Sequence, residues 1–319
     1  MSQAHSCDDT APWPYQLSGE DLWRWRQRAI AIARAEGIEP AEVDWLLRGL
    51  CQVDSLALRL GTLAHQTQVG ARVSLAELEQ YWVQRIRDRV PVQYLIGETP
   101  WRQFTLKVSP AVLIPRPETE LIIDVVAAAV AQSSHSEALR HGVWVDLGTG
   151  SGAIALGLAD ALPDAQIIAV DNSGAAIAVA QENANRTGLR DRIQFRQGSW
   201  FEPLADFEGT LAGIVSNPPY IPTHMVPDLQ PEVARYEPIT ALDGGLDGLD
   251  SLRHLVSTAP QFLQVGGLWL VELMIGQAAI VADLLTATGH YTAIQIHPDL
   301  NGVARFVSAV RREDSVQAS

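Results

Sequence analysis

Apolar residues between Ser18 and Val90 recur at helical spacing, which predicts helices only. Ser18-Gly19-Glu20-Asp21 and Ser74-Leu75-Ala76-Glu77 read as capping-box starts. After the second start, Leu75, Leu78, Tyr81, Trp82 and Ile86 form one stripe that needs a partner surface. Trp23, Trp25, Trp45, Leu46 and Leu47 supply it, giving a small helical bundle in which the tryptophans are core rather than a ligand box. The pattern then changes. Phe104-Thr105-Leu106-Lys107-Val108 alternates, Ser109-Pro110 breaks it and Val112-Leu113-Ile114 follows, so a short β-hairpin is predicted within residues 91–115, bridging two domains. Pro115-Arg116-Pro117-Glu118-Thr119-Glu120 opens a helix, with proline near the first position and acids in the first turn.

From there strand-like and helix-like runs alternate. Strands are predicted at 143–147, 166–170, 193–196, 211–215 and 268–273, and helices at 153–162, 175–187, 249–262 and 277–288. Such alternation implies an α/β fold with a parallel sheet wound on both faces. Runs at 291–296 and 304–310, separated by a turn with Asn301-Gly302, form an antiparallel hairpin at one edge. Residues 311–319 read as a disordered tail. The expected domains are 1–90, helical; 91–115, a hairpin linker; and 116–319, the α/β domain.

At 319 residues two domains are the natural prior. A hydrophobic content of 47% against 19% charged fits a globular protein with a substantial core. The 37 acidic and 23 basic residues give a net charge of −14. Gripping a duplex or structured RNA needs a cationic footprint that releases counterions. The densest basic group, Arg85, Arg87 and Arg89, reads as a solvated helix end. No direct nucleic-acid binding is therefore expected, and a protein or small-molecule substrate is favoured. Cys7, in a polar stretch, and Cys51, in a helix, make neither a disulfide framework nor a metal-ligand spacing, and no metal is expected. Residues 1–10 lack the basic and apolar regions of a secretory signal. The most apolar helix-like run, 121–131, is interrupted by Asp124 and too short to span a bilayer. The expected location is cytoplasmic, with no membrane partner.

Two motifs carry the chemistry. The strand at 143–147 ends in Asp146-Leu147-Gly148-Thr149-Gly150-Ser151-Gly152, and a glycine-rich turn after a first strand is where an open α/β sheet holds a nucleotide-like cofactor. Its G-x-G-x-G spacing is short of the dinucleotide pattern, which argues against a nicotinamide oxidoreductase. Asp171 ends the second strand, where a carboxylate can accept from both ribose hydroxyls. Taken alone, it would cap the next helix. Trp200, after the third strand, can cover the base edge, or simply pack. Asp146 either meets an amino group of the cofactor or is a turn residue; the two readings balance.

Asn217-Pro218-Pro219-Tyr220 closes the strand at 211–215. Pro218 can only accept at its main chain, the Asn217 side-chain oxygen accepts as well, and Tyr220 offers a ring face. Converging acceptors beside a ring suit a planar –NH2 conjugated to a π system. Holding both N–H groups favours the pyramidal, electron-rich nitrogen of a methyl-transfer transition state. A proline-stiffened loop without function is the plain alternative, but it does not account for the cofactor turn in the same sheet.

These segments resemble the HemK/PrmC family of glutamine N5-methyltransferases over nearly the whole chain. Besides the two motifs, Leu113-Ile114-Pro115-Arg116-Pro117-Glu118-Thr119-Glu120 and Glu237-Pro238-Ile239-Thr240-Ala241-Leu242, with Gly244-Gly245 and Asp247-Gly248-Leu249, match that family's distinctive stretches. The resemblance implies a seven-stranded, Rossmann-like class I methyltransferase domain behind a small helical substrate-docking domain. It implies S-adenosyl-L-methionine as cofactor, held by Gly148, Thr149, Gly150, Ser151, Gly152, Asp171, Trp200 and Asn217, with Asp146 as a further candidate. It makes Asn217, Pro218, Pro219 and Tyr220 the pocket for the glutamine of a Gly-Gly-Gln motif in class-1 peptide chain release factors, with Asn217, Pro218 and Tyr220 catalytic. One departure is visible: the family usually has Phe near Trp101, and the larger ring bears on the wall of that pocket. The Asn-Pro-Pro-Tyr motif is shared with adenine-N6 and guanine-N2 enzymes, so a nucleic-acid amino-methyltransferase and a ribosomal-protein glutamine methyltransferase stay as alternatives. A non-catalytic cofactor-binding module would show an eroded Asn217 or glycine turn, and both are intact.

Overall fold

Ser18 and Ser74 open helices where the sequence predicts them: Ser18 Oγ accepts from Asp21 N, and Ser74 and Glu77 form a complete capping box. The computed structural model describes residues 13–313, in two units, one ending at Gly97 and the next beginning at Glu98. Cys7, the stretch 1–10 and the tail positions from 314 onward lie outside the described residues.

The first unit holds β1 (Tyr15–Leu17), α1 (Gly19–Ala35), α2 (Ala41–Leu50), α3 (Ser55–Leu60), β2 (Val69–Ala71), α4 (Leu75–Val83) and α5 (Val92–Ile96). Leu78 and Trp82 of α4 are buried in the core of this unit, where the Trp25 ring of α1 and the Trp82 ring meet edge to face at 6.3 Å. Trp23 and Trp45 stay half-buried. The helices-only expectation is corrected by β1 and β2, which pair antiparallel from Tyr15↔Ala71 to Leu17↔Val69. Three residues per strand are too few to produce a readable alternation. Arg85 is corrected too. It is buried, with its guanidinium bidentate on Glu42 (2.5 and 2.8 Å), which offsets the loss of hydration.

The second unit opens with β3 (Glu98–Trp101) and β4 (Phe104–Lys107), antiparallel across a turn at Arg102. The hairpin expected between residues 104 and 114 thus pairs backward, not forward. Val112 and Ile114 are buried in a loop instead of forming an arm. A 3-10 turn, Pro117–Glu120, leads into α6 (Leu121–Gln132), then α7 (Ser136–His141). The alternation follows: β5 (Val143–Leu147), α8 (Ala153–Ala161), β6 (Gln166–Asp171), α9 (Gly174–Arg186), β7 (Ile193–Gln197), β8 (Leu211–Ser216), α10 (Pro231–Tyr236), α11 (Asp250–Phe262), β9 (Leu263–Glu272), α12 (Ala278–Thr288), β10 (Tyr291–Pro298) and β11 (Ala304–Arg311).

These last seven strands form one sheet in the order β10-β11-β9-β8-β5-β6-β7. Pairing is parallel from β9 to β7, and β11 is antiparallel to both β9 and β10. Successive residues serve opposite faces. Trp144, Ile167 and Leu270 pack with α6 and α8, while Val145, Ile168 and Trp269 pack with α11 and α12. Arg311 is not tail. It ends β11 opposite Tyr291, and its Nε donates to Pro260 O at 3.1 Å.

Candidate active site

Strand order reverses at β5, flanked by β6 on one side and β8 on the other. The carboxyl ends of β5 and β8 therefore bound the crevice where such sheets take ligands. The glycine turn follows β5 and Asn217–Tyr220 follows β8, so topology alone brings the two motifs together. Both contribute to one open cleft, concave at the switch point and lined from the glycine turn to Asn217 and Pro219.

The turn is pinned to β6. Gly148 N and Thr149 N both donate to Val170 O at 2.9 Å, and Gly150 N donates to Asp171 Oδ2 at 2.9 Å. Gly148, Gly150 and Gly152 have φ of +75, +55 and +84°, the left-handed region that glycine enters without strain. A Cβ at Gly150 would meet nothing within 4 Å, so this glycine leaves free space over the turn. Asn183, fully buried on α9, donates to Ser151 O (2.8 Å) and clamps the backbone of Lys107 on β4 through both ends of its amide.

Asp171 lines the cleft, each carboxylate oxygen accepting one backbone N–H, from Gly150 and from Ser173. Lone pairs remain for donors in the cleft. Burial pushes its pKa up, and those two N–H groups offset this in part. Asp146 stands behind the turn and is not part of the cleft wall. Its Oδ2 accepts from Thr149 Oγ1 (2.6 Å) and from Ala155 N in the first turn of α8 (3.0 Å), while Oδ1 has no hydrogen-bond partner. Burial raises this carboxyl to about 7. Trp200 lines the cleft from a left-handed backbone (φ +46°), a costly conformation for a bulky residue.

Thr149, Ser151, Asn217 and Pro219 also line the cleft, whereas Pro218 and Tyr220 do not. Pro218 is buried, and the half-buried Tyr220 donates through Oη to Glu272 Oε1 at 3.3 Å. Asn217 Nδ2 donates to Thr119 Oγ1 at 3.3 Å, which leaves Oδ1 as the remaining acceptor. The stretch 244–248 cradles this loop: a Cβ on Gly244 would stand 2.8 Å from Tyr220 Cα, and one on Gly248 2.4 Å from Tyr220 O. Gln277 Nε2 ties the same two places together, donating to Tyr220 O (3.0 Å) and Gly248 O (3.1 Å).

Sequence reasoning did not assign Leu113, Pro115, Thr119, Pro238, Thr240 and Ala241 to the site, yet all six line the cleft. The signal was present, since every one lies in the two distinctive stretches quoted above. Arg116 joins these stretches, its Nη2 donating to both oxygens of the buried Glu237 at 2.8 and 2.6 Å. Trp101 does not wall the pocket. It is fully buried in the core with Ile123 and Leu106, and its Nε1 donates to Arg116 O at 3.3 Å. The larger ring is thus a packing feature on the far side of Arg116.

A methyltransferase small domain matches residues 121–230. A solved structure titled as the hMettl16 catalytic domain with an RNA hairpin aligns with a TM-score of 0.53 at 14% identity, over 86% of this chain and 91% of that one, which shows the fold. The release factor glutamine methyltransferase of Synechocystis sp. is 51% identical over 92% of this chain and 97% of its own length. That of Thermosynechococcus vestitus is 45% identical over 92% and 99%, and that of Gloeobacter violaceus 42% over 89% and 94%. Matches of this extent span both units and both motifs, and the chain belongs to the release factor glutamine methyltransferase family.

Proposed function

We propose that this protein transfers a methyl group from S-adenosyl-L-methionine to the side-chain amide nitrogen, N5, of the glutamine in the Gly-Gly-Gln motif of class-1 peptide chain release factors. The observation that carries the reading is the single cleft at the β5/β8 switch point, which joins the glycine turn and Asp171 to Asn217. The residues present fit the cofactor. Left-handed glycines leave the turn free of side chains, the half-buried Asp171 carboxylate with unused lone pairs suits a ribose, and Trp200 offers an aromatic face. Bound there, the cofactor supplies an electrophilic methyl carbon on a sulfonium.

The chain's own residues then do the positioning. An amide nitrogen is a poor nucleophile because its lone pair is delocalised into the carbonyl. Acceptors that hold its N–H groups, Asn217 Oδ1 foremost, favour the pyramidal nitrogen and fix it for in-line approach. The proton leaves after transfer, so no strong base is needed beforehand. A net charge of −14 opposes a nucleic-acid client. Work on release factors puts the chain in the cytoplasm, and no helix among the described residues is long and apolar enough to cross a membrane.

Purified protein, labelled cofactor and intact release factors test the reading. Mass spectrometry is expected to place one added methyl on the glutamine side chain. Unmodified release factors alongside an RNA or DNA fraction labelled at adenine would replace it with the nucleic-acid reading, and a labelled ribosomal protein would replace the client alone.

A further inference from the structure

Gln277 occupies the N-cap position of α12, yet its side chain caps nothing there. Capping is the work of short side chains such as Ser, Thr, Asn and Asp. This longer one is buried, 4% exposed, and turns away from its own helix. Its Oε1 accepts from Met274 N, in the turn after β9, at 3.0 Å. Its Nε2 donates to Tyr220 O at 3.0 Å and to Gly248 O at 3.1 Å. Both protons of the amide are thus used, and three segments far apart in the chain meet on one planar group.

That demand selects glutamine. The end group must give two protons and accept one within a single plane. A carboxylate gives none, an apolar side chain leaves two carbonyls unpaired, and asparagine is a methylene short. Gly248 completes the fit: its φ is +76°, and a Cβ there would stand 2.9 Å from Gln277 Nε2.

What the amide holds is the far end of the Asn217–Tyr220 loop. Pro218 and Pro219 have no N–H, so no ladder of main-chain bonds can hold this stretch. The proline rings set φ at both positions, and the loop takes its remaining definition from how its ends are tied. Downstream, Ile221 N donates to Leu242 O (2.9 Å) and Ile221 O accepts from Gly244 N (2.8 Å), but residues 242–244 are themselves loop. Gln277 anchors both loops to the turn between β9 and α12. Holding the Tyr220 carbonyl fixes ψ of Tyr220, and with it where the Asn217 side chain and the Pro219 ring stand in the cleft wall. Resting on the glutamine-methylation reading, we propose that Gln277 is a positioning residue that, by bridging Tyr220 O and Gly248 O from behind, sets the Asn217–Tyr220 loop at the distance and angle the acceptor amide needs.

Gln277→Met keeps an unbranched side chain of similar length and removes both donors. Its kcat for an intact release factor is expected to fall roughly 10- to 100-fold, with KM and calorimetric cofactor affinity unchanged, because the glycine turn and Asp171 are held by β6 and not by this amide. Its melting temperature is expected to fall as two carbonyls lose their donor, so the assays are run well below it. Gly248→Ala presses on Tyr220 O and Gln277 Nε2 from the other side and is expected to show the same split. The double variant should then be little worse in kcat than either single one, since both release the same loop. A folded Gln277→Met protein with wild-type kcat overturns the proposal, and so does one whose kcat, KM and cofactor affinity decline together, which would make Gln277 a general support. Should Gln277→Met not fold, Gln277→Asn, which draws the amide back by one methylene, decides by the same split. If the wild type binds cofactor but leaves release factors unmethylated, the client reading fails by itself. Hydrogen exchange at Ile221 and Gly244 then decides for Gln277: faster exchange in Gln277→Met supports its hold on the loop, and wild-type exchange overturns it.

Discussion

Two aspartates, one at the end of β5 and one at the end of β6, face different sides of the same turn, and their substitutions should separate accordingly. Asp171 meets the cleft, and Asp171→Ala removes charge-assisted acceptors, so cofactor binding is expected to weaken by about 1.5–3 kcal/mol in calorimetry. Unchanged affinity in the folded variant would remove Asp171 from the site. Asp146 is fully buried behind the turn, and its pKa of about 7 lies far above the ordinary 3.8. The native state therefore holds this proton more tightly than the unfolded chain does. Its stability contribution is intact below about pH 4 and falls as pH rises through 7. Asp146→Asn abolishes that titration while keeping an oxygen for Thr149 and Ala155. Between pH 5 and pH 8 the variant is expected to gain about 3 kcal/mol on the wild type, read by denaturant unfolding at both pH values. A gap independent of pH would refute the buried-carboxyl account. Sequence spacing brought both residues to notice but could not assign them, because which side of a turn a carboxylate faces is decided by tertiary packing. Pro218 and Tyr220 show the same limit, since their motif was legible and their turning away from the cleft wall was not.

At the scale of elements, the apolar runs of the α/β region place every strand of the large sheet, to within two residues except for β9, which begins at Leu263 and not 268; the parallel strands are legible because buried parallel strands are continuous apolar runs. The pattern failed where partners were short or non-local. β4 is legible, but its mate β3 contains Pro100 and fills one of its two buried positions with the polar Thr99, so no apolar alternation marks it and the expected hairpin pairs with the wrong side. The two stretches of the site were recognised as distinctive, yet nothing local foretold that Arg116 and Glu237, far apart in the chain, would pair. That pair carries a prediction. Burial raises Glu237 and Arg116 offsets it, so Arg116→Ala would leave a buried charge without its cation, at about 3 kcal/mol. The expected result is faster hydrogen exchange across 237–242 and weaker cofactor binding, because Pro238, Thr240 and Ala241 line the cleft. Adding Glu237→Gln should recover much of the loss, since a neutral amide needs no cation. Exchange at 237–242 that stays at the wild-type rate in Arg116→Ala would mean the ion pair does not hold this wall.

On the scale of the molecule, the catalytic apparatus and the client have different requirements. Both sheet-face clusters lie beyond Glu98, so the second unit has its own core and the whole cleft. The first unit has a separate core, built on Trp25, Trp82 and their neighbours. Its proposed work is docking. A short Gly-Gly-Gln peptide must be ordered on binding and forgoes any contact with the helical unit. An intact release factor should therefore exceed such a peptide in kcat/KM by on the order of tenfold or more, mainly through KM, because the chemical step uses the same glutamine. A chain beginning at Glu98, checked for retained cofactor affinity, should methylate the peptide as well as the full-length protein does and lose the preference for the intact factor. If the truncated chain keeps that preference, recognition of the client resides in the second unit, and the helical unit has another task.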